Sequence, residues 1–146
     1  MTKLRLLLLA LPATAALAYA QGGMIQLMPG DIKWASAPPG VTKDAQAAVL
    51  AGPLDKPNPY TQRVRLAPGG AVMPHTHPDA RYVTVLSGEL YAGTGGTADI
   101  AKATRYPTGS FFVMPAGTVH YSLAKDAEVV YQESGMGPTG TNFLKK

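Results

Sequence analysis

Hydrophobic and polar residues alternate in short runs along this chain, and glycine and proline separate the runs. The clearest alternation places Tyr60, Gln62, Val64 and Leu66 on one face of an extended chain and the residues between them on the other. No stretch beyond residue 20 keeps the 3.6-residue apolar period of a helix. The pattern therefore predicts an all-β domain built from many short strands.

Similar runs predict further strands at residues 71–77, 81–86, 89–92, 104–107, 111–114, 119–123 and 128–133. A turn is expected at Pro68-Gly69-Gly70, before the second strand of the alternating region. Residues 43–50 are expected to form one helical turn at most. The glycine-rich end of the chain, from Gly135 onward, is expected to wrap the surface of the domain.

Residues 1–20 have the composition of a secretory signal peptide. Lys3 and Arg5 precede an apolar run that is too short and broken for a confident membrane span, and the run ends in the small-residue sequence AYA. We expect cleavage before Gln21, with a retained membrane anchor as the alternative. The mature protein, residues 21–146, is then periplasmic or secreted, with no stable membrane insertion.

The mature chain is long enough for one domain with a substantial core. Its formal charge is +2, because the signal peptide carries two of the positive charges behind the whole chain's +4. This small charge argues against nucleic acid as a partner. The chain has no cysteine, which excludes disulfides and thiolate metal ligands. The core, oligomerisation or a metal must therefore stabilise the fold.

The chain contains three histidines, and their spacing predicts a metal site. His75 and His77 are two residues apart, so an extended backbone directs both imidazoles to the same side, and His120 is the third. Imidazole is the commonest protein ligand for transition metals, and three of them leave coordination positions open. We predict one divalent ion, with iron, manganese, nickel, zinc and copper all compatible. The alternative is that the histidines are surface or packing residues.

The two histidine stretches resemble the paired signature of the cupin superfamily. In its two motifs, glycines, a proline and the histidines recur at fixed spacings, matched here by Gly69 or Gly70, His75, His77 and Gly88, and then by Gly109, Pro115, Gly117 and His120. The resemblance spans residues 69–124. It implies a double-stranded β-helix, also called a jelly-roll barrel, with a small-molecule ligand inside and a homodimeric assembly.

Two positions depart from the signature. Ala124 stands where the second motif has asparagine, and Arg81 stands where many cupins have an acidic fourth metal ligand. Arginine has no lone pair to donate to a metal. Arg81 either braces the barrel in a pair with a carboxylate, or takes a catalytic role as the anchor of an anionic substrate. Asp79, Glu89 and Glu133 are the candidate carboxylate partners.

A centre of three histidines without a carboxylate is similar to the ferrous sites of thiol dioxygenases and of the β-diketone-cleaving dioxygenase, which are also cupins. This resemblance implies an exported mononuclear metal enzyme that acts on a small organic substrate, with anions favoured. Two alternatives stay open: a non-catalytic binder of a small molecule or metal, and a structural module with a vestigial site. Whether the protein is an enzyme is therefore undecided by its sequence.

Overall fold

A computed structural model describes residues 23–37 and 42–144 of the chain. The expected signal peptide, residues 1–20, lies outside the described residues. Within the described residues, no helix has the length and apolar character needed to cross a bilayer.

Strands dominate the described part of the chain, and one 3-10 turn, Pro29–Asp31, precedes them. The prediction of an all-β fold is therefore confirmed. The strands are β1 (Ala35–Ser36), β2 (Thr42–Ala51), β3 (Pro59–Thr76), β4 (Arg81–Ser87), β5 (Glu89–Thr94), β6 (Thr104–Pro107), β7 (Phe111–Met114), β8 (His120–Leu123), β9 (Val129–Met136) and β10 (Asn142–Phe143).

The strands form one antiparallel sheet that curls into a nearly closed barrel, in the order β6-β5-β8-β3-β9-β4-β7. β2 adds to β3 from outside this path, and β1 and β10 pair with β2 and β3 respectively. The fold is a jelly-roll barrel, as the family resemblance implied. β3 organises it, because its first half pairs with β9 and its second half with β8.

The structure decides two local expectations. Residues 43–50, which were expected to form at most one helical turn, form none, because they belong to β2 and pair with β3 along most of their length. The turn expected at Pro68-Gly69-Gly70 was wrong, since β3 continues through this sequence. Gly69 adopts a positive φ of 71°, and the strand changes partners around this point. Sheet pairing overrides both local preferences.

The core lies inside the barrel and follows the predicted alternation. Val64 and Leu66 on β3, Val83 and Val85 on β4, and Val129 and Tyr131 on β9 all belong to one buried cluster. Tyr60, at the other end of the same face of β3, is also buried.

The inward face continues beyond the apolar cluster into polar residues. Arg81 lies two residues before Val83 and is 2% exposed, and Glu133 lies two residues after Tyr131 and is 8% exposed. The register of β4 and β9 places Val83 opposite Glu133. One end of the barrel interior is thus apolar and the other is polar, and the polar end holds the histidines.

The turn between β4 and β5 shows why the first motif ends in glycine. Gly88 has a φ of +74°, a conformation that side chains with a Cβ rarely adopt. A Cβ at this position would also overlap the carbonyl oxygen of Glu128. Glycine therefore allows the sharp return of the chain into β5.

Candidate metal centre

The structure brings the three histidines together inside the barrel. His75 lies near the end of β3 and is paired across the sheet with His120, the first residue of β8. His77 follows β3 directly. The three side chains are buried, and one ring nitrogen from each lies within 4.8 Å of the others. The predicted convergence of these residues is thus present, and the three together could bind a metal ion.

Backbone carbonyls fix the orientation of each imidazole. His75 Nδ1 lies 2.7 Å from the carbonyl oxygen of Met73, and His120 Nδ1 lies 2.9 Å from that of Thr118. His77 Nδ1 lies 2.8 Å from the carbonyl oxygen of Gly140. Because a carbonyl only accepts, the contacts of His75 and His120 place the proton on Nδ1 and leave the Nε2 lone pair free, as a metal ligand requires, and the contact of His77 with Gly140 favours the same tautomer.

The Nε2 atoms of His75 and His77 lie only 3.1 Å apart. With both protons on Nδ1, two lone pairs face each other at this distance, and a cation between them removes the repulsion. The donor set therefore fits a divalent transition metal.

Arg81 makes a competing contact at His77. Its Nη2 lies 3.0 Å from the same Nδ1 that faces Gly140. A single Nδ1 cannot donate to Gly140 and accept from Arg81 at once. Donation to Gly140 gives the metal-binding tautomer, whereas acceptance from Arg81 moves the proton to Nε2, where it bonds to His75. The contact from Arg81 therefore opposes the tautomer in which His77 can bind a metal.

Burial keeps the histidines neutral. It is the largest cause that lowers the pKa of His75 to about 3, with the neighbouring histidines acting in the same direction. Burial and the positive charge of Arg81 lower the pKa of His77 to about 4. Burial also lowers the pKa of His120. Metal ions bind deprotonated imidazole, so at neutral pH no proton has to be displaced.

Arg81 points into a cluster of polar side chains inside the barrel. Its Nη1 lies 2.8 Å from Glu133 Oε2, its Nε lies 3.3 Å from Asp79 Oδ2, and its Nη2 donates to Thr139 Oγ1 at 2.8 Å. Two of the three expected carboxylate partners are therefore present. The third, Glu89, is instead at the surface and pairs with Arg105.

The geometry matches the carboxylate-paired alternative for Arg81, while its role toward a substrate remains a prediction. The guanidinium is not fully satisfied, since Nε is buried and lacks a hydrogen-bond partner with adequate geometry among the described residues.

Neutral side chains support both carboxylates. Glu133 Oε2 accepts a hydrogen bond from Gln62 Nε2 at 2.7 Å. Burial raises the pKa of Glu133, but Arg81, His77 and Gln62 together hold it below its ordinary value. Asp79 accepts hydrogen bonds from the hydroxyls of Tyr60, at 2.5 Å, and Thr139. Burial raises the pKa of Tyr60, which keeps this phenol protonated as a donor.

The end of the chain completes the site, which the sequence did not indicate. β10 pairs with the end of β3, and the ring of Phe143 lies 5.5 Å from that of His75. Thr139 and Gly140, just before β10, contact Arg81 and His77. The expectation that this segment only wraps the surface was therefore incomplete. No motif marks these residues, because two of the three contacts depend on backbone position or on a single hydroxyl.

The interior beside the histidines is small. A cavity of about 10 Å³ is lined by His120, Ser122, Tyr131 and Glu133, together with Arg81 and apolar residues, and it has room for about one water. A larger groove of about 270 Å³ lies elsewhere, between the segment around Ile25 and β2 and β3. None of the three histidines lines it.

The comparison with known families agrees with this architecture. Residues 62–131 match the family model described as a cupin domain, and this match includes all three histidines. The chain belongs to the cupin superfamily.

Relatives of this cupin include plant germin-like proteins. A germin-like protein of Arabidopsis thaliana, subfamily 2 member 4, is 45% identical over 65 residues, which are 44% of this chain and 30% of that protein. The chain spans less than half the length of the curated relatives that it matches.

Solved structures share the barrel. The polyketide cyclase RemF of Streptomyces resistomycificus superposes with a TM-score of 0.68 at 17% identity, covering 84% of this chain and 88% of that one. A recombinant oxalate oxidase in complex with glycolate superposes with a TM-score of 0.57 at 26% identity, covering 69% of this chain and 55% of that one.

Proposed function

We propose that this cupin is an exported mononuclear metal enzyme that holds one divalent transition metal on His75, His77 and His120 and acts on a small organic acid. The observation that carries the proposal is the arrangement of the three imidazoles, which are buried, neutral and held by backbone carbonyls so that their ring nitrogens converge. When bound, such an ion supplies Lewis-acid activation of a substrate and, if it is iron or manganese, redox chemistry.

The protein's own residues define what the site accepts. Because the three histidines are neutral, a divalent ion bound to them keeps its full positive charge. This charge favours an anionic substrate. The oxalate oxidase relative, solved with glycolate, supports a small carboxylic acid as the substrate class. The absence of a ligand carboxylate among the three residues favours a dioxygen-dependent reaction of the dioxygenase type, as the resemblance to three-histidine dioxygenases implies.

A non-catalytic binder is the second candidate. The cavity beside His120 has room for about one water, which suits capture of the ion alone better than turnover of an organic substrate. On this reading the barrel stores or delivers a metal.

Metal analysis of the purified mature protein tests the metal site. We expect about one transition metal ion per chain, and loss of the ion in His75→Ala and His120→Ala. Glu89→Gln is the matched control, because Glu89 is a surface carboxylate paired with Arg105 and lies outside the site. Full metal retention in a variant that lacks all three histidines would contradict the proposal.

Oxygen uptake separates the enzyme from the binder. The iron-loaded protein is assayed with glycolate, oxalate, diketones and thiol-bearing acids, and we expect substrate-dependent consumption of oxygen with one of them. A protein that holds its metal but turns over none of these substrates, by oxygen uptake or by product analysis, would favour the binder.

Export and dimerisation complete the proposal. Signal cleavage before Gln21 predicts that exported material begins at this residue, which mass analysis measures. A homodimer is supported by the two strands that end the sheet order, β6 and β7, and by Phe111 and Val113, which are exposed apolar residues on β7. Sedimentation that shows only a monomer would contradict the dimer.

A further inference from the structure

The buried charges around Arg81 do not balance. The side chains of Arg81, Asp79 and Glu133 are only 2%, 8% and 10% exposed. One guanidinium carries one positive charge, and the two carboxylates carry two negative charges. A single carboxylate suffices to neutralise Arg81, so the cluster has one excess negative charge inside the barrel. An uncompensated buried charge is strongly unfavourable unless another charge offsets it.

The other hydrogen-bond partners of the two carboxylates are uncharged. Glu133 accepts from the amide of Gln62, and Asp79 accepts from the hydroxyls of Tyr60 and Thr139. In residues 23–37 and 42–144, no lysine or second arginine forms an ion pair with either carboxylate. The hydrogen bonds satisfy the oxygen atoms, but they do not cancel the excess charge.

The excess charge is adjacent to the three histidines. Arg81 connects Glu133 to His77, through contacts of 2.8 Å and 3.0 Å. Glu133 and His120 line the same cavity of about 10 Å³. A cation held by the histidines is therefore separated from Arg81 by the His77 ring and lies beside the cavity that Glu133 lines. The low polarity of the interior strengthens the attraction between this cation and the carboxylates.

We propose that Glu133, on β9, supplies the negative charge of the metal site that position 81 on β4 does not supply. Glu133 does not bind the ion directly. Its negative charge offsets the positive charge of the ion, and hydrogen bonds from Arg81 and Gln62 hold its carboxylate in place. This inference rests on the proposed metal-binding function of His75, His77 and His120.

The balance of charges also defines the ligand. A divalent ion, added to a cluster with one net negative charge, leaves the site with one net positive charge. A singly charged anion neutralises that charge, whereas a doubly charged anion leaves an excess of negative charge in the interior. We therefore infer that the site prefers a monocarboxylate to a dicarboxylate of similar size.

A series of variants varies the charge of the cluster in single steps. Arg81→Gln makes it two negative charges, the unmodified protein has one, and Glu133→Gln has none. The double variant, Arg81→Gln with Glu133→Gln, again has one negative charge, but it lacks the Glu133 carboxylate. Glu89→Gln is the control for loss of a surface carboxylate. Zn²⁺ affinity is measured for each mature, metal-free protein by titration calorimetry.

We expect Zn²⁺ affinity to follow the charge of the cluster. Glu133→Gln should bind Zn²⁺ about 10- to 100-fold more weakly, as is typical for loss of a residue that supports metal ligands. Arg81→Gln should bind it more tightly, and the double variant should stay within a few-fold of the unmodified protein. Circular dichroism and thermal melting establish that each variant is folded. If Arg81→Gln does not fold, Glu133→Gln and the double variant still decide the question.

Two outcomes would overturn the inference. Equal Zn²⁺ affinity in Glu133→Gln and the unmodified protein would mean that the ion does not respond to this charge. A double variant as weak as Glu133→Gln would mean that Glu133 acts by direct contact with the ion. Both differ from failure of the metal-binding function itself, in which the unmodified protein would not bind Zn²⁺ or His75→Ala would bind it equally well.

The ligand preference is tested at saturating Zn²⁺ with glycolate and oxalate, two-carbon chelators that differ by one charge. The ratio of oxalate affinity to glycolate affinity should rise about tenfold or more in Glu133→Gln relative to the unmodified protein, because the site gains one positive charge. It should fall in Arg81→Gln. A ratio that is constant across the series would refute the assignment of a monoanion.

Discussion

Lowering the pH from 7 to 5 should destabilise the metal-free protein through its buried histidines. The pKa of His75 is lowered from 6.5 to about 3 and that of His77 from 6.5 to about 4 in the folded state. In the unfolded chain both regain their ordinary values. Between pH 6.5 and 4, the unfolded state therefore binds protons that the folded state does not, and the free energy of unfolding falls as the pH falls.

The size of the effect follows from the pKa difference. At pH 5 a histidine with an unfolded pKa of 6.5 lies about 1.5 pH units below that value, which amounts to roughly 2 kcal/mol for each site that stays neutral in the fold. His75 and His77 together give about 4 kcal/mol, and the lowered pKa of His120 adds to this in the same direction. This loss is comparable to the whole stability of many small domains. Glu133 contributes little above pH 5, because its pKa is lowered in the fold and its unfolded form takes up most of its protons only below the ordinary value of 4.5.

Urea unfolding of the chelator-treated mature protein at pH 7, 6 and 5 measures the effect. His75→Gln is the matched variant, because it removes one titrating group and should reduce the difference between pH 7 and pH 5 by about 2 kcal/mol, whatever its own stability. A free energy of unfolding that is equal at pH 7 and pH 5 to within about 1 kcal/mol would refute the reasoning, because the histidines would then gain protons as easily in the fold as in the unfolded chain.

Three substitutions test the barrel around the site. Leu66→Ala should cost about 2–5 kcal/mol in urea unfolding, because Leu66 is fully buried in the core, and a cost below 1 kcal/mol would contradict that burial. Gly135→Ala should cost about 1–3 kcal/mol, since the new Cβ overlaps the Asp79 carboxylate, and an equally stable variant would show that this contact relaxes freely. Thr139→Val keeps the shape but removes the hydroxyl that joins Arg81 to Asp79, so stability should fall by about 1–3 kcal/mol, and unchanged melting would exclude a structural role for this hydroxyl.

The sequence predicted the strands that have a clear two-residue period, but not the extent of strands that are defined by their partners. The alternation at Val64 and Leu66 reports which face is buried, and the structure buries that face. Residues 43–50 have no such period, and their strand conformation comes from pairing with β3. The Pro68-Gly69-Gly70 sequence has the composition of a turn, but pairing on both sides of it keeps β3 continuous.

The candidate site also has a part that the sequence predicts and a part that only the fold shows. The three histidines were predictable because their identity and spacing carry the information, and their convergence needs only the barrel. The contact between His77 and Gly140 spans 63 residues and uses a backbone carbonyl, so no residue type could reveal it. Glu133 was one of several candidate partners of Arg81, because the sequence does not give the register of β9. In the structure Glu133 pairs with the buried Val83, so its side chain lies on the inward face.

Arg81 departs from the family signature together with two carboxylates, Asp79 and Glu133, that pair with it. Comparing the signature one position at a time does not reveal this group of three. An arginine that is 2% exposed inside a barrel requires a buried carboxylate, and here Asp79 approaches from the segment before β4 and Glu133 from β9. His75 on β3 and His120 on β8 keep their carbonyl contacts, because Arg81 and the two carboxylates contact neither of these Nδ1 atoms. A cupin with arginine at this position and apolar residues in place of both Asp79 and Glu133 should therefore turn the arginine away from the interior or lose stability, because no buried carboxylate would then pair with it.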